Sequence, residues 1–187
     1  RFHGATPHEE VLIHDAPWEG DGCDYHNIVY DNGVYRMYYL GWSMSGKSSR
    51  GIRVCVAQSR DGLAWSKPEL GICEFEGSTK NNIILDDRTD KFDNFFVFID
   101  DNPACPGDER HKGISLYSAD RALWLYTSTD GFNFKRKRKI TSEGKFDTLN
   151  TALWDKERKK YFCFIRGFHN IPENGELNKG IRDIRVL

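Results

Sequence analysis

The feature that most constrains the fold is a short pattern that recurs along the chain: an aspartate, an apolar run of strand length, and a polar turn. Its clearest copy begins at Asp24, continues through the apolar run 28–30, and turns at Asp-Asn-Gly, residues 31–33. Asn-Gly between two runs of β-forming residues is a strong hairpin signal. Related copies start at Asp93 and Asp147. Three such copies predict a repeated, all-β architecture.

A second pattern recurs with the first. The turn Ser-x-Asp-Gly, followed by an aromatic residue, occurs at 59–65 and again at 128–134. No helical periodicity of useful length accompanies it. A degenerate repeat of about 50 to 70 residues with about four short strands is typical of propeller blades, and an ordinary β-sandwich is the alternative fold.

We therefore predict that residues 1–187 form a partial β-propeller. We expect an N-terminal segment at 1–23, blade one at about 24–70, blade two at about 81–140, and an incomplete blade three at about 145–187. The run 180–186 resembles 51–56, but the turn that should follow it would lie past residue 187, so we expect a longer native chain. Open sheet edges favour pairing, and we expect the remaining blades or a partner chain to close the ring.

Composition excludes several classes of partner. A net charge of −1 offers no broad footprint for nucleic acid or an anionic membrane, and no apolar run has the length of a membrane helix. The basic run 135–139 is expected to be an exposed edge strand. Five widely spaced cysteines without C-x-x-C predict neither a disulfide framework nor a zinc site. They favour a reducing, cytoplasmic compartment, although a secreted or periplasmic location stays open.

The recurring aspartates predict carbohydrate chemistry. In a propeller the first strand of each blade lines the central channel, so Asp24, Asp93 and Asp147 would meet at one mouth of it. Crowded carboxyl groups differ in pKa, and glycoside hydrolysis needs one carboxyl group as acid and another as nucleophile or base. The alternative is structural, because aspartates at strand starts often accept hydrogen bonds from backbone N–H groups.

Other polar residues divide into two groups. Aspartates within turns are expected to be structural: Asp31, Asp61, Asp100, Asp130 and Asp155. Candidates for contacts with a sugar are Trp18, His26, Asn27, Trp42, Asn150 and Arg166, although tryptophan is also a common core residue. No cofactor or metal site is predicted; the many aspartates are compatible with calcium, but no EF-type loop is present.

The run 23–35 resembles the first-blade motif of the five-bladed β-propeller glycoside hydrolases, namely families 32, 43 and 68 and their relatives. In that family the first aspartate lies nine residues before the hairpin glycine, as Asp24 does before Gly33. The resemblance implies that Asp24 is the nucleophile or base and that Asp93 orients and tunes it. Asp147 stands where the family usually has an acidic glutamate, so Asp147 or a glutamate elsewhere would be the acid.

Three functions follow from these observations. The first is cleavage of a glycosidic bond in a glycan. The second is a carbohydrate-binding propeller without catalysis, which the aspartate at the acid position favours. The third is a structural or protein-interaction propeller, in which the three aspartates would not cluster.

Overall fold

The structure is a computed structural model that describes residues 9–43, 51–173, 175–176 and 179–187. The first eight residues of the predicted N-terminal segment, 44–50 in predicted blade one, and 174 and 177–178 in predicted blade three lie outside this description. The described chain is all-β, and its strands form three antiparallel sheets. The strands are β1 Gly22–Asp31, β2 Val34–Trp42, β3 Arg53–Ser59, β4 Trp65–Ser66, β5 Ile83–Asp86, β6 Phe92–Ile99, β7 His111–Tyr117, β8 Ala122–Ser128, β9 Lys135–Thr141, β10 Thr151–Asp155, β11 Lys160–His169 and β12 Ile181–Val186. One turn of α-helix, Asp87–Asp90, and two short 3₁₀ helices, Pro17–Glu19 and Gly107–Glu109, complete the elements.

The first sheet has the order β1-β2-β3-β4, with β5 also paired to β3. The Asn-Gly turn joins β1 to β2, where Asp31 pairs with Val34. Strand β5 lies antiparallel to β3 and pairs Leu85 with Val54. Blade two is predicted to begin at about residue 81, but β5 completes the outer edge of the first sheet. Local alternation predicts that a segment is a strand, whereas its partner depends on distant residues.

The second sheet has the order β6-β7-β8-β9, and the third has the order β10-β11-β12. Each is built from neighbouring hairpins, as in a propeller blade. The basic run forms β9, the outermost strand of the second sheet, and its five side chains are exposed. A row of like charges on an edge strand opposes pairing with another chain.

The sheets pack face to face, and each interface is a hydrophobic core. Between the first and second sheets the core includes Tyr38, Val54, Phe95 and Tyr126. Between the second and third sheets it includes Ile114, Leu123, Ala152 and Ile165. Strand β6 lies in contact with both β1 and β10, which makes these three the innermost strands. Three consecutive antiparallel sheets of five, four and three strands, arranged in this way, are blades of a propeller.

The outer face of the first sheet is covered by the N-terminal segment and by the loop after β4. Tyr39 and Cys55 lie buried there with Phe75, and Trp18 and Leu12 pack against them. Residues 11–13, which resemble a short strand in sequence, have no strand pairing. The third sheet is more open, because Ile184 on β12 is 74% exposed.

Within the residues described, no helix is both long and apolar enough to cross a lipid bilayer. All five cysteines are free thiols.

Candidate active site

Asp24 lies on β1 at a β-bulge. It pairs with Leu40 and Asn27 pairs with Tyr38, so β1 holds one extra residue between these pairs. Tyr25, directly after the aspartate, has a φ of 56°. A left-handed conformation is uncommon for a bulky residue and costs about 1–2 kcal/mol. The bulge aims the exposed Asp24 side chain away from the regular pleat.

Asp93 on β6 has the same backbone arrangement. It pairs with Leu116 while Phe95 pairs with Ser115, so one extra residue again follows the aspartate. That residue is Asn94, with a φ of 58°. Bulges are frequent next to active sites because they re-aim a side chain. Two adjacent innermost strands thus carry an aspartate followed by a left-handed residue.

The strands β1 and β6 run in the same direction. Asn27 bridges them, because its amide nitrogen donates to the Val97 carbonyl at 2.8 Å and its amide oxygen accepts from the Val97 N–H at 3.1 Å. Asp31, at the end of β1, lies 3.2 Å from Nε2 of His111, whose strand partner is Ile99 at the end of β6.

The Asn27–Val97 bridge fixes how far Asp24 and Asp93 lie along their neighbouring strands. Asp24 lies three residues before Asn27, and Asp93 lies four residues before Val97. At about 3.3 Å per residue, both aspartates are roughly 10–13 Å from the bridge, on the same side of it. Asp24 and Asp93 therefore lie at the same end of neighbouring innermost strands.

Asp93 is half-buried, and burial raises the pKa of its carboxyl group; a backbone hydrogen bond from Asn94 opposes this, and the charge of Asp87 adds to it. The pKa of Asp87 is raised too, first by burial. One buried oxygen of Asp87 has no hydrogen-bond partner in the part of the chain that the structure describes. A carboxyl group in such surroundings tends to keep its proton.

Asp147 lies in a bend before β10, four residues from its first residue Thr151. The prediction placed it at the start of the strand. It forms an ion pair with Arg166 of β11. Both side chains line a cleft of about 590 Å³. Leu116, the strand partner of Asp93, lines the same cleft.

The third blade joins the same mouth of the channel. Tyr161, whose strand partner is Trp154 near the end of β10, donates a hydrogen bond to Asp100 just after β6, at 2.7 Å. The strands β6 and β10 therefore end together, and the residues before them lie at the opposite end. Burial and Arg182 lower the pKa of Arg166, while nearby Tyr25 raises it. Arg166 is thus within electrostatic reach of the first blade.

Four of the residues predicted to contact a sugar make contacts within the protein. Asn27 is buried and occupied by Val97. Trp18 donates to Oδ1 of Asn82 at 2.6 Å and packs on Phe75. Asn150 is buried and donates to the Phe146 and Thr148 carbonyls. The ring of Trp42 packs on Gly22, because a Cβ added at Gly22 would lie only 2.9 Å from Cε2 of that ring. Each side chain serves the packing of its own blade or of a blade interface.

His26 is exposed and lies close to the first aspartate. Its ring stacks on Tyr39 at 5.6 Å, and its Nε2 is 2.9 Å from Nε2 of His14. Partial burial of the ring lowers the pKa of His26, the neighbouring His14 lowers it further, and Asp24 raises it. Of the residues predicted to contact a sugar, His26 and Arg166 therefore lie beside the aspartates, His26 near Asp24 and Arg166 near Asp147.

The turn aspartates were expected to be structural, and each is held by local or inter-blade contacts. One oxygen of Asp61 accepts two backbone N–H bonds at 2.8 Å, and Asp130 does the same in the second blade. Asp155 binds N–H groups in its own hairpin. Asp31 and Asp100 do more, since they join neighbouring blades through Arg110 in the first case and Tyr161 in the second.

Solved structures provide the comparison that decides the fold. A glycoside hydrolase structure matches 88% of this chain and 52% of its own, with 14% identity and a TM-score of 0.56. The chain has a glycoside hydrolase-like propeller fold. A GH32 β-fructofuranosidase of Bombyx mori matches 92% of this chain and 36% of its own, with 12% identity and a TM-score of 0.54. A glycosyl hydrolase from Bacteroides ovatus matches 88% and 46%, with 14% identity and a TM-score of 0.52.

The chain spans about half or less of each of these glycoside hydrolases. No family model matches the sequence, and comparison with curated proteins found no match. The all-β propeller prediction and the resemblance to propeller glycoside hydrolases are confirmed at the level of the fold.

Two residues near the aspartates are absent from the predicted site. Asp87 raises the pKa of Asp93 but comes from the helical turn after β5. His14 approaches His26 from the N-terminal segment. A signal for the bulge was available, since Asn94 directly follows Asp93 and asparagine tolerates the left-handed region. Tyr25 offers no such signal.

Proposed function

We propose that the chain forms part of a glycoside hydrolase whose catalytic carboxyl groups include Asp24 and Asp93. The observation that supports this most directly is the repeated bulge, an aspartate followed by a left-handed residue at the same end of β1 and β6. Backbone strain that recurs beside candidate catalytic groups is typical of functional sites. The substrate is a carbohydrate, as the fold suggests.

The two carboxyl groups differ in the way that glycoside hydrolysis requires. Asp24 is exposed and open to water or a sugar, which suits a nucleophile or a base. Asp93 has a raised pKa, caused first by burial, which suits a group that holds a proton for the leaving oxygen or tunes its neighbour. In the forward step, Asp24 attacks the anomeric carbon, or takes a proton from a water molecule that attacks it. The bond from that carbon to the leaving oxygen breaks, and the carboxyl group that acts as the acid gives its proton to this oxygen.

Asp147 and Arg166 take a binding role in this proposal. The ion pair engages the Asp147 carboxylate, which the resemblance offers as the acid alongside a glutamate elsewhere. The guanidinium also offers donors to sugar hydroxyl groups. If Asp147 is not the acid, Asp93 or a glutamate in the remaining blades supplies the proton. We propose that those blades, from the same or a partner chain, complete the site.

Replacement of the first aspartate tests this function. Asp24→Asn keeps the size of the side chain but removes the nucleophile or base, so kcat/KM on chromogenic glycosides should fall by about 100-fold or more. Asp101→Asn is the matched control, because Asp101 is exposed and pairs with Lys156 on the surface. Its turnover should match that of the unaltered protein. Equal turnover by the Asp24→Asn protein would refute the catalytic assignment.

A carbohydrate-binding propeller without catalysis is the second candidate, and the Asp147–Arg166 ion pair favours it. Calorimetry with oligosaccharides separates the two functions. Saturable binding without turnover, lost in an Arg166→Gln protein, would support the binding function. Neither binding nor turnover would contradict both and favour a structural propeller.

A further inference from the structure

Three side chains with metal-binding atoms converge beside Asp24. They are His14, Cys23 and His26, and one ligand atom from each lies within 4.8 Å of the other two. His14 comes from the N-terminal segment, whereas Cys23 and His26 come from β1. The sequence spacing alone suggests no such group.

The bulge in β1 explains how Cys23 and His26 meet. Residues three apart on a regular strand point to opposite faces of the sheet. The extra residue between Asp24 and Asn27 shifts this alternation by one position. Cys23 and His26 therefore lie on the same side of the sheet. The bulge that orients Asp24 thus also brings the Cys23 thiol and the His26 imidazole to the same side of the strand.

The two imidazoles are held by a buried framework. His14 packs edge-on against Tyr39 at 4.5 Å, and His26 stacks on the same ring. Tyr39 is 1% exposed, and its hydroxyl donates to Oε1 of Glu19 at 2.6 Å. Both histidine rings therefore pack against the buried ring of Tyr39.

The carboxylate of Glu19 lies near the other ring nitrogen of His14. Its Oε1 is 3.7 Å from Nδ1 of His14, beyond hydrogen-bond distance, while Nε2 of His14 faces Nε2 of His26 at 2.9 Å. A metal-bound histidine usually donates its other ring N–H to a carboxylate, and a small shift of His14 would complete that hydrogen bond. Glu19 is itself fixed, since its Oε2 accepts from Lys67 at 2.7 Å and from the Ala16 N–H at 2.8 Å.

We propose that His14, Cys23 and His26 bind a zinc ion whose fourth coordination position is open to water. Two imidazoles and a thiol suit zinc, whereas calcium and magnesium need oxygen ligands. Zinc at about 2.0–2.1 Å from nitrogen and about 2.3 Å from sulfur holds tetrahedral ligand atoms about 3.3–3.6 Å apart. In the structure the two Nε2 atoms lie 2.9 Å apart and all three ligand atoms lie within 4.8 Å of one another, so binding requires the imidazoles to separate slightly.

The group of ligands is open at the surface. Cys23 and His26 are exposed, so an ion reaches the group from solvent. This site does not depend on glycoside hydrolase activity.

Cobalt and zinc titrations of the chain test the proposal. Added cobalt(II) should give the visible bands of a tetrahedral complex and a thiolate-to-cobalt band, and zinc should displace it. Cys23→Ser should abolish the thiolate band, and His26→Gln should weaken zinc binding by more than about 100-fold. Zinc should raise the midpoint of thermal unfolding of the unaltered chain but not of these variants.

Matched controls come from residues outside the group. Cys105→Ser and His169→Gln alter a cysteine paired with Lys112 and a histidine paired with Asp183, and both variants should bind zinc as the unaltered chain does. Equal unfolding midpoints of Cys23→Ser and the unaltered chain without metal would show that the variant folds. Absence of zinc binding by the unaltered chain, or equal losses in the controls, would overturn the proposal.

Discussion

At the scale of single residues, Asp24 and Asp93 lie in the same local backbone conformation, a β-bulge, but different residues follow them. The residue after each one is left-handed, Tyr25 in the first blade and Asn94 in the second. Asparagine adopts this conformation more readily than tyrosine does. Asp93 is the more buried of the two aspartates. A group kept in an unfavourable environment at a functional site usually lowers stability.

Asp93→Asn should therefore stabilise the chain at neutral pH, by about 0.5–2 kcal/mol. Burial, partly offset by the Asn94 N–H, raises the folded pKa of Asp93 above its unfolded value, so ionisation favours the unfolded chain. The stability advantage of the variant should be absent below about pH 4 and grow as pH rises through the folded pKa. Urea unfolding from pH 3 to pH 7 measures it. An advantage that grows towards acid pH would contradict this account.

At the scale of elements, the turns follow closely from local chemistry. Ser59 and Ser128 each donate to the aspartate two residues later at 2.9 Å, and each accepts from the following glycine N–H. The same residues at the same spacing therefore build the same turn in both blades. Pairing is less local, as β5 shows, because its partner β3 lies more than twenty residues earlier.

A glycine on β7 shows how tightly one blade is packed. A Cβ at Gly113 would lie 2.3 Å from the ring of Phe95, which is 1% exposed. Gly113→Ala should destabilise the chain by about 1–3 kcal/mol, because overpacking forces buried side chains to move. At Gly107, no atom lies within 4 Å of such a Cβ, so Gly107→Ala should be nearly neutral.

Denaturant unfolding of both alanine variants measures the difference. The double variant Gly113→Ala, Phe95→Leu should show non-additive losses, since the smaller side chain relieves the clash. Equal losses at the two glycines would indicate that the backbone, and not the Phe95 ring, decides the effect.

At the scale of the whole molecule, polar contacts as well as apolar cores join the blades. Asp31 is 5% exposed, and it accepts from Arg110 at 2.5 Å and contacts His111. In the next interface, Asp100 pairs with Lys112 at 2.8 Å and accepts from Tyr161. The same position of the hairpin thus ties each blade to the next one.

This contact should make the first interface sensitive to acid. Burial alone would raise the pKa of Asp31, but the hydrogen bond and charge of Arg110 hold it below its usual value. A depressed pKa stabilises the fold above the unfolded value of about 3.9, and the contribution is lost as pH falls through the folded pKa.

Asp31→Asn should therefore cost about 1–3 kcal/mol at pH 7, a figure reduced because Arg110 is 40% exposed. The difference between the variant and the unaltered chain should shrink below about pH 4. Thermal unfolding across pH measures it, with Asp101→Asn as the exposed control. A cost that does not change with pH would show that lost packing, and not charge, is responsible.

Local sequence is enough to predict the repeated hairpins, the Ser-x-Asp-Gly turns, the exposed basic edge and the aspartates near the starts of β1 and β6. These features depend on residues within a few positions of one another, where turn chemistry and strand alternation act. The place of β5 in the first sheet, the Asn27 bridge between two blades, and the approach of His14 to Cys23 and His26 are visible in the folded chain alone. These contacts join residues far apart in the chain or separated by a bulge, and neither hydrophobic alternation nor local spacing encodes them.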